Sequence, residues 1–179
     1  MKKYKVGIVG TGGRSCSYGE VYAKTKEIEV VAVADPIEAN RHLMLKLTGL
    51  AEKNPIQYND WTELYEKHPD LDGIVITTPN YVHKAPATAF IKRGIPVALE
   101  KPMETTMGNC EEILDAVSQN NGRVLIGFVL RSTPFYVKIH DMIESGAIGN
   151  VLSIQADELG GYGVSSIIMR HYWRRKNAT

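Results

Sequence analysis

Cysteine is scarce in this sequence, with only Cys16 and Cys110 among 179 residues. Two thiols this far apart make neither a disulfide framework nor a metal-ligand spacing, so reduced thiols in a cytoplasmic protein without a metal site are the expectation. An excess of one charge is lacking too: 21 Lys and Arg face 20 Asp and Glu, for a formal charge of +1. So even a balance creates no field that would favour nucleic acid. No apolar run approaches the ~18 residues that span a bilayer. Met1-Lys2-Lys3 followed by Tyr4 to Val9 faintly imitates a secretion signal, but Lys5 and Gly7 break the run and Gly10 stops it. Repeats, low-complexity tracts and linkers are also missing. The length suits one large domain, or one domain and part of another.

What is present begins with Val6-Gly7-Ile8-Val9-Gly10-Thr11-Gly12-Gly13-Arg14, an apolar run that breaks into glycines and then into a segment of helical character. If a buried strand turns here into a helix, the first helical N–H groups lack partners and carry partial positive charge, which attracts phosphate. In the dinucleotide fingerprint Gly-x-Gly-x-x-Gly, Gly10 and Gly12 occupy the first two places. Ser15 occupies the third, so the motif is incomplete, and a plain flexible turn is the competing reading. A second strand, Val30 to Ala34, ends in Asp35, 25 positions after Gly10. There a carboxylate can hold both hydroxyls of an adenosine ribose. Its charge disfavours a 2′-phosphate and argues for NAD, whereas Arg14 and Arg41 can each reach a phosphate and keep NADP open. Asp35-Pro36 also reads as a helix entry, with aspartate as N-cap and proline at the first helical position.

Apolar, β-branched runs alternate with helical patterns through the first 130 residues, which predicts repeated βαβ units and a parallel sheet. Strands are predicted near Lys5–Val9, Val30–Ala34, Gly73–Thr77, Pro96–Leu99 and Val124–Leu130, with a further strand starting at Val151 to Ala156. The first helix runs from near Arg14 to Lys26. In the second, Ala39, Leu43, Leu47 and Leu50 recur at helical spacing and define a buried face. Asp60 is the predicted N-cap of a short helix, with Glu63 answering back to it. A helix near Val82 to Arg93 holds Pro86 in its first turn. Thr106 caps another, whose inner face is Met107, Cys110, Leu114 and Val117. Phe135, Ile139, Met142 and Ile143 mark a last amphipathic helix, stopped by Ser145-Gly146.

Ligands of an open parallel sheet bind beyond the carboxyl ends of its strands. Gly10 to Gly13, Asp35, Thr78 to Asn80 and Glu100 to Pro102 are all predicted there. Lys101 is the candidate for chemistry, because a lysine beside a nicotinamide can exchange protons with a substrate hydroxyl. A solvated Glu100–Lys101 pair of little energy is the equal alternative. The basic run Arg170-His171-Tyr172-Trp173-Arg174-Arg175-Lys176 reads either as a solvated or cleft-lining segment or as a grip for polyanions.

Taken together, Val9 to Arg14, Thr78-Pro79-Asn80-Tyr81-Val82-His83 and Glu100-Lys101-Pro102-Met103 resemble the glucose-fructose oxidoreductase, inositol dehydrogenase and rhizopine-catabolism family, Gfo/Idh/MocA. Gly127 to Arg131 and Ile143 to Gly149 extend the resemblance. It implies an α/β fold: a Rossmann-type doubly wound parallel sheet over residues 1–130, then a connecting helix and the beginning of a substrate domain over 131–179. The implied activity is a dehydrogenase that moves a hydride between NAD, or NADP, and a hydroxyl or carbonyl of a sugar or cyclitol. On this mapping Gly10, Thr11, Gly12, Gly13 and Arg14 follow the pyrophosphate and Asp35 meets the adenosine ribose. Thr78, Pro79, Asn80 and His83 border the cofactor, Glu100 lies near the nicotinamide ribose, and Lys101 reaches the reacting oxygen across a cis Lys101–Pro102 bond. Arg131, Trp173 and Arg174 complete the cofactor-side set. A homo-oligomer is implied for the full-length protein. A glycine-rich segment with further acid and base residues follows in the family where this chain stops at Thr179, so the expectation is an N-terminal fragment that binds dinucleotide but turns over poorly. Two other activities within the family's range are an NAD-retaining glycosidase and a non-catalytic sugar or nucleotide sensor.

Overall fold

The computed structural model of the protein describes residues 2–159, 161–163 and 166. The chain divides into two units, the first ending at Gly127 and the second starting at Phe128. The first unit holds six strands: β1 (Tyr4–Val9), β2 (Ile28–Ala34), β3 (Ile56–Tyr58), β4 (Gly73–Ile76), β5 (Val97–Leu99) and β6 (Val124–Ile126). They form one sheet in the order β3-β2-β1-β4-β5-β6, and every pairing is parallel. Between them run α1 (Gly13–Lys24), α2 (Glu38–Thr48), α3 (Trp61–Lys67), α4 (Lys84–Lys92) and α5 (Met107–Gln119). This is the doubly wound order of a Rossmann fold, whose switch point lies between β1 and β4, where successive crossovers change direction.

Successive residues of a strand serve opposite faces, so the sheet separates two cores; in β2 the register shifts between the Val6–Val30 and Gly7–Ala32 pairs, which brings Val30 and Val33 to one side. Val6, Ile8, Val30, Val33 and Val75 pack with Met44, Leu45 and Leu50 on one side. On the other, Val9, Ile74, Ile76 and Leu99 pack with Leu64, Phe90, Ile91 and Ile113. Two covered faces explain why the central strands read as uninterrupted apolar runs.

Several expectations are corrected by the structure. The edge strand β3 has three residues with only Tyr58 buried, too short and too polar to register as a strand. The last strand of the sheet ends at Ile126, and a 3-10 turn over Val129–Ser132 follows instead of more strand. Residues 151–159 form neither helix nor strand and are exposed. Pro36 lies before α2, whose N-cap is Ile37, so Asp35 is not the cap; its Oδ1 accepts from the Ile37 amide at 2.9 Å. Asp60 does cap α3, accepting from Thr62 N at 2.7 Å, while Glu63 turns to Lys67 at 3.8 Å. In the second unit, α6 (Pro134–Glu144) follows the predicted helix, with Phe135, Ile139 and Met142 exposed within this chain.

Two helices present a different face inward from the one predicted. In α2 the buried residues are Arg41, Met44, Leu45 and Thr48, while Leu43 and Leu47 are exposed by 56% and 60%. The polar members tolerate burial because they bond to backbone: Thr48 Oγ1 donates to Met44 O at 2.9 Å and Arg41 Nη1 donates to Asp35 O. In α5, Ile113 and Ala116 face the core, Val117 of the predicted face packs against them partly buried, and Met107 and Leu114 are exposed. Changing Leu43 and Leu47 to Gln should therefore each shift stability by no more than ~0.5 kcal/mol, whereas Met44→Ala should cost ~2–5 kcal/mol. Urea unfolding of the three variants checks this, and equal losses would place the α2 face where the apolar spacing first put it.

Candidate functional site: the carboxyl rim of the sheet

At the switch point the chain leaves β1 through Gly10, whose φ of +87° is natural only for glycine. The site also needs the missing side chain, because a Cβ there would lie 2.7 Å from Thr78 N and 2.8 and 2.9 Å from the Thr77 carbonyl carbon and oxygen. Thr77 closes this junction: its amide donates to Val9 O at 2.8 Å and its hydroxyl to Gly10 O at 2.6 Å. The loop then opens. Gly12 is the N-cap of α1 and supplies no side-chain cap, the first turn carries no acidic residue, and added Cβ atoms on Gly12 and Gly13 would meet nothing within 4 Å. The free first-turn amides of α1 thus face open space, which is the arrangement an anion requires.

Asp35, at the tip of β2, is 9% exposed. Its Oδ2 accepts from Thr11 N at 2.7 Å, so the carboxylate ties the glycine loop to the second strand. With Oδ1 on the Ile37 amide, each oxygen has one donor, and a carboxylate offers about four lone-pair positions, so it retains the capacity to accept from further donors. Arg41 is buried and turned toward the Asp35 carbonyl rather than outward. The hydroxyls of Thr11 and Thr78 are buried on the two loops that flank the switch point and have no partner among the described residues.

Beyond β5 lies Glu100, 5% exposed. Its Oε1 accepts from Arg14 Nε and from Tyr18 OH, both at 2.7 Å, and its Oε2 accepts from Lys101 N at 3.2 Å. The glycine loop's arginine is therefore bound to the carboxylate next to Lys101. Phosphate-favouring amides and the lysine consequently stand on one rim, joined through a single side chain. Burial, with the hydrogen bond to Glu100, pushes the Tyr18 hydroxyl up to about 12 from its usual 10, so it remains a donor at neutral pH. Lys101 itself is exposed, not desolvated by its neighbours.

The peptide bond between Lys101 and Pro102 is cis. His83, predicted to border the cofactor, is fully buried. Its Nε2 lies 3.0 Å from Thr78 O and its Nδ1 lies 3.0 and 3.2 Å from Pro102 O and Met103 O, so the ring joins the loop after β4 to the loop after β5. Pro79 and Asn80, half-buried, lead into the turn before α4. The far end of the Lys101 loop is anchored by Glu104. Burial opposes its charge, but hydrogen bonds from Asn109, Thr105 and Thr106 hold the carboxyl below its usual range.

Gly10 to Arg14, Asp35, Thr78 to Asn80, Glu100 and Lys101 thus gather at the carboxyl rim. Arg131 belongs to the second unit, exposed, with its guanidinium 5.0 Å from the Phe128 ring. Trp173 and Arg174 lie outside the described residues. Tyr18 was not anticipated, although its place four residues after Arg14 puts the two on one helix face, which is the one signal the sequence offers.

A six-stranded parallel sheet with a glycine-lined helix start at its switch point defines the class of Rossmann dinucleotide-binding folds. More narrowly, residues 4–128 match the family described as an oxidoreductase family with an NAD-binding Rossmann fold, and the chain belongs to that Gfo/Idh/MocA family. Among curated relatives it is 30% identical over 151 residues to the rhizopine catabolism protein MocA of Rhizobium meliloti, covering 84% of this chain and 45% of that protein. To inositol 2-dehydrogenase of Salmonella typhimurium it is 32% identical over 152 residues, covering 84% and 44%. The chain thus spans less than half the length of these relatives. A solved scyllo-inositol dehydrogenase from Lactobacillus casei, with bound NAD(H) and scyllo-inositol, shares the fold with a TM-score of 0.73 at 23% identity, over 83% of this chain and 43% of that one. The WlbA dehydrogenase of Bordetella pertussis, in complex with NADH and UDP-GlcNAcA, matches with a TM-score of 0.72 at 21% identity, over 83% and 44%. No helix among the described residues is long and apolar enough to cross a membrane.

Proposed function

We propose that the whole protein is an NAD-dependent dehydrogenase acting on a hydroxyl or carbonyl of a sugar or cyclitol. The observation that carries this reading is the joining of the uncapped α1 N-terminus to Glu100 and Lys101 on the rim that also holds Asp35. The amides of Gly12 to Arg14 would hold the pyrophosphate, Asp35 the adenosine ribose, and Glu100 the nicotinamide ribose. NAD, when bound, supplies the hydride acceptor. Lys101 then has one task, to take the proton of the substrate hydroxyl as the hydride leaves and to return it in the reverse direction. Relatives named for inositol support a cyclitol or sugar as the substrate class.

Charge supports NAD over NADP. A 2′-phosphate would approach the Asp35 carboxylate, while Arg41 is turned inward and Arg14 is engaged by Glu100. Titrating this chain with NADH, followed by cofactor fluorescence, should give saturable binding that Asp35→Ala weakens at least ~10-fold, the loss expected for hydrogen bonds to a charged group. NADPH should bind less tightly than NADH to the unaltered chain. Unchanged NADH affinity in Asp35→Ala, with the fold intact by circular dichroism, would remove Asp35 from the site.

A further inference from the structure

On the rim, Glu100 gathers side-chain contacts from α1 as well as a backbone contact from its own loop. The carboxylate is 5% exposed, and three elements converge on it. From α1 come Arg14 Nε and Tyr18 OH, both 2.7 Å from the same oxygen, Oε1. Just after β6 comes Gly127, where a Cβ would stand 2.9 Å from Oε1 and 3.1 Å from the Tyr18 hydroxyl, so a side chain there would displace the pair. From the Lys101 loop comes the Lys101 amide, 3.2 Å from Oε2. Tyr18 itself is set by its own helix, with the Arg14 guanidinium 5.5 Å from its ring centroid and the Tyr22 ring 6.3 Å away.

Resting on the dehydrogenase reading, we propose that Tyr18 is a positioning residue for the nicotinamide end of the site: with Arg14 it fixes Glu100 Oε1, so that Oε2 and Lys101 meet the cofactor already aligned. Two donors on one oxygen leave the carboxylate a single orientation. Charged hydrogen bonds of this length are the strong ones, and their geometry is set before any ligand arrives. Arg14 adds its charge and Tyr18 adds direction. A guanidinium alone is fixed to α1 through a long, flexible stem and is 42% exposed, whereas the phenol is a rigid ring on a two-torsion side chain. The high titration point of Tyr18 keeps its proton on the side of Glu100 over the whole neutral range.

The test compares two ligands that share the adenosine and pyrophosphate but differ in the nicotinamide half. Binding of NADH and of ADP is measured on this chain for the unaltered protein and for Tyr18→Phe, which retains the ring and its packing. The expected result is an NADH affinity lowered ~10-fold, the cost of one hydrogen bond to a charged group, with ADP affinity within ~2-fold because the backbone amides that would hold its phosphates are left in place by Tyr18→Phe. In a Glu100→Ala background, Tyr18→Phe should cause no further loss of NADH affinity, since its effect runs through that carboxylate. Equal weakening of both ligands, an unaltered NADH affinity, or losses that simply add in the double variant would overturn the proposal while leaving the dehydrogenase reading in place. An unaltered chain that binds neither ADP nor NADH would overturn the dehydrogenase reading and this proposal with it.

Discussion

Gly10→Ala is expected to cost about 3 kcal/mol or more of stability and, in the same step, to abolish NADH binding. Two penalties act at this position. The φ of +87° is a conformation that costs an L-residue ~1–2 kcal/mol. The new methyl would also press on the Thr77–Thr78 peptide at 2.7 to 2.9 Å, and those atoms are backbone that the β1–β4 pairing holds in place. Overpacking of this kind adds ~1–3 kcal/mol, a large share of the ~5–15 kcal/mol that keeps a typical domain folded. Relief requires β1 and β4 to part at the switch point, where the glycine loop begins. Gly12→Ala is the control: nothing lies within 4 Å of its Cβ and its backbone is extended, so the fold should hold and only the approach of a ligand should suffer. Urea midpoints and NADH titrations of the two variants separate fold from site. A Gly10→Ala protein as stable as the unaltered one would mean that the loop does not lie against Thr77 and Thr78.

The glycines were readable because their requirement is local, a tight turn and a close approach written into adjacent residues. The sheet was readable for a related reason. Strands covered on both faces must be apolar throughout, and Ile74-Val75-Ile76 leaves little other choice. What escaped depends on partners distant in sequence. Leu43 and Leu47 recur at helical spacing, yet the buried face of α2 includes Arg41 and Thr48, each of which donates to a backbone carbonyl. Spacing cannot show that a polar residue will find a partner. The three residues of β3 acquire strand geometry only by pairing with Ala32 to Ala34. Tyr18 meets Glu100 across 82 positions, and its spacing from Arg14 places the two on one helix face without showing what that face meets. His83 belongs to a motif that stands out in the sequence, but its position inside the rim follows from three carbonyls contributed by two different loops. The general lesson is physical: turn chemistry and two-sided burial are legible in one dimension, and convergent polar contacts are not.

Lys101→Ala should lower turnover by about 100-fold in the natural protein, assayed with NAD and a cyclitol, if its amine carries the substrate proton. That factor corresponds to ~2.7 kcal/mol of transition-state stabilisation. Little of it can come from damaged structure, because Lys101 is exposed and only its backbone amide bonds to Glu100, a contact that alanine preserves. NADH affinity should therefore remain close to that of the unaltered protein, and the loss should fall on turnover. Lys101→Arg decides between the two roles left open by the alanine variant. Arginine retains the positive charge that would stabilise an alkoxide, but its guanidinium is not deprotonated in proteins and cannot accept the hydroxyl proton. If proton transfer is the task, the arginine variant should be nearly as slow as the alanine variant. If arginine restores turnover, Lys101 acts by placing charge, and the proton must pass to another group at the site.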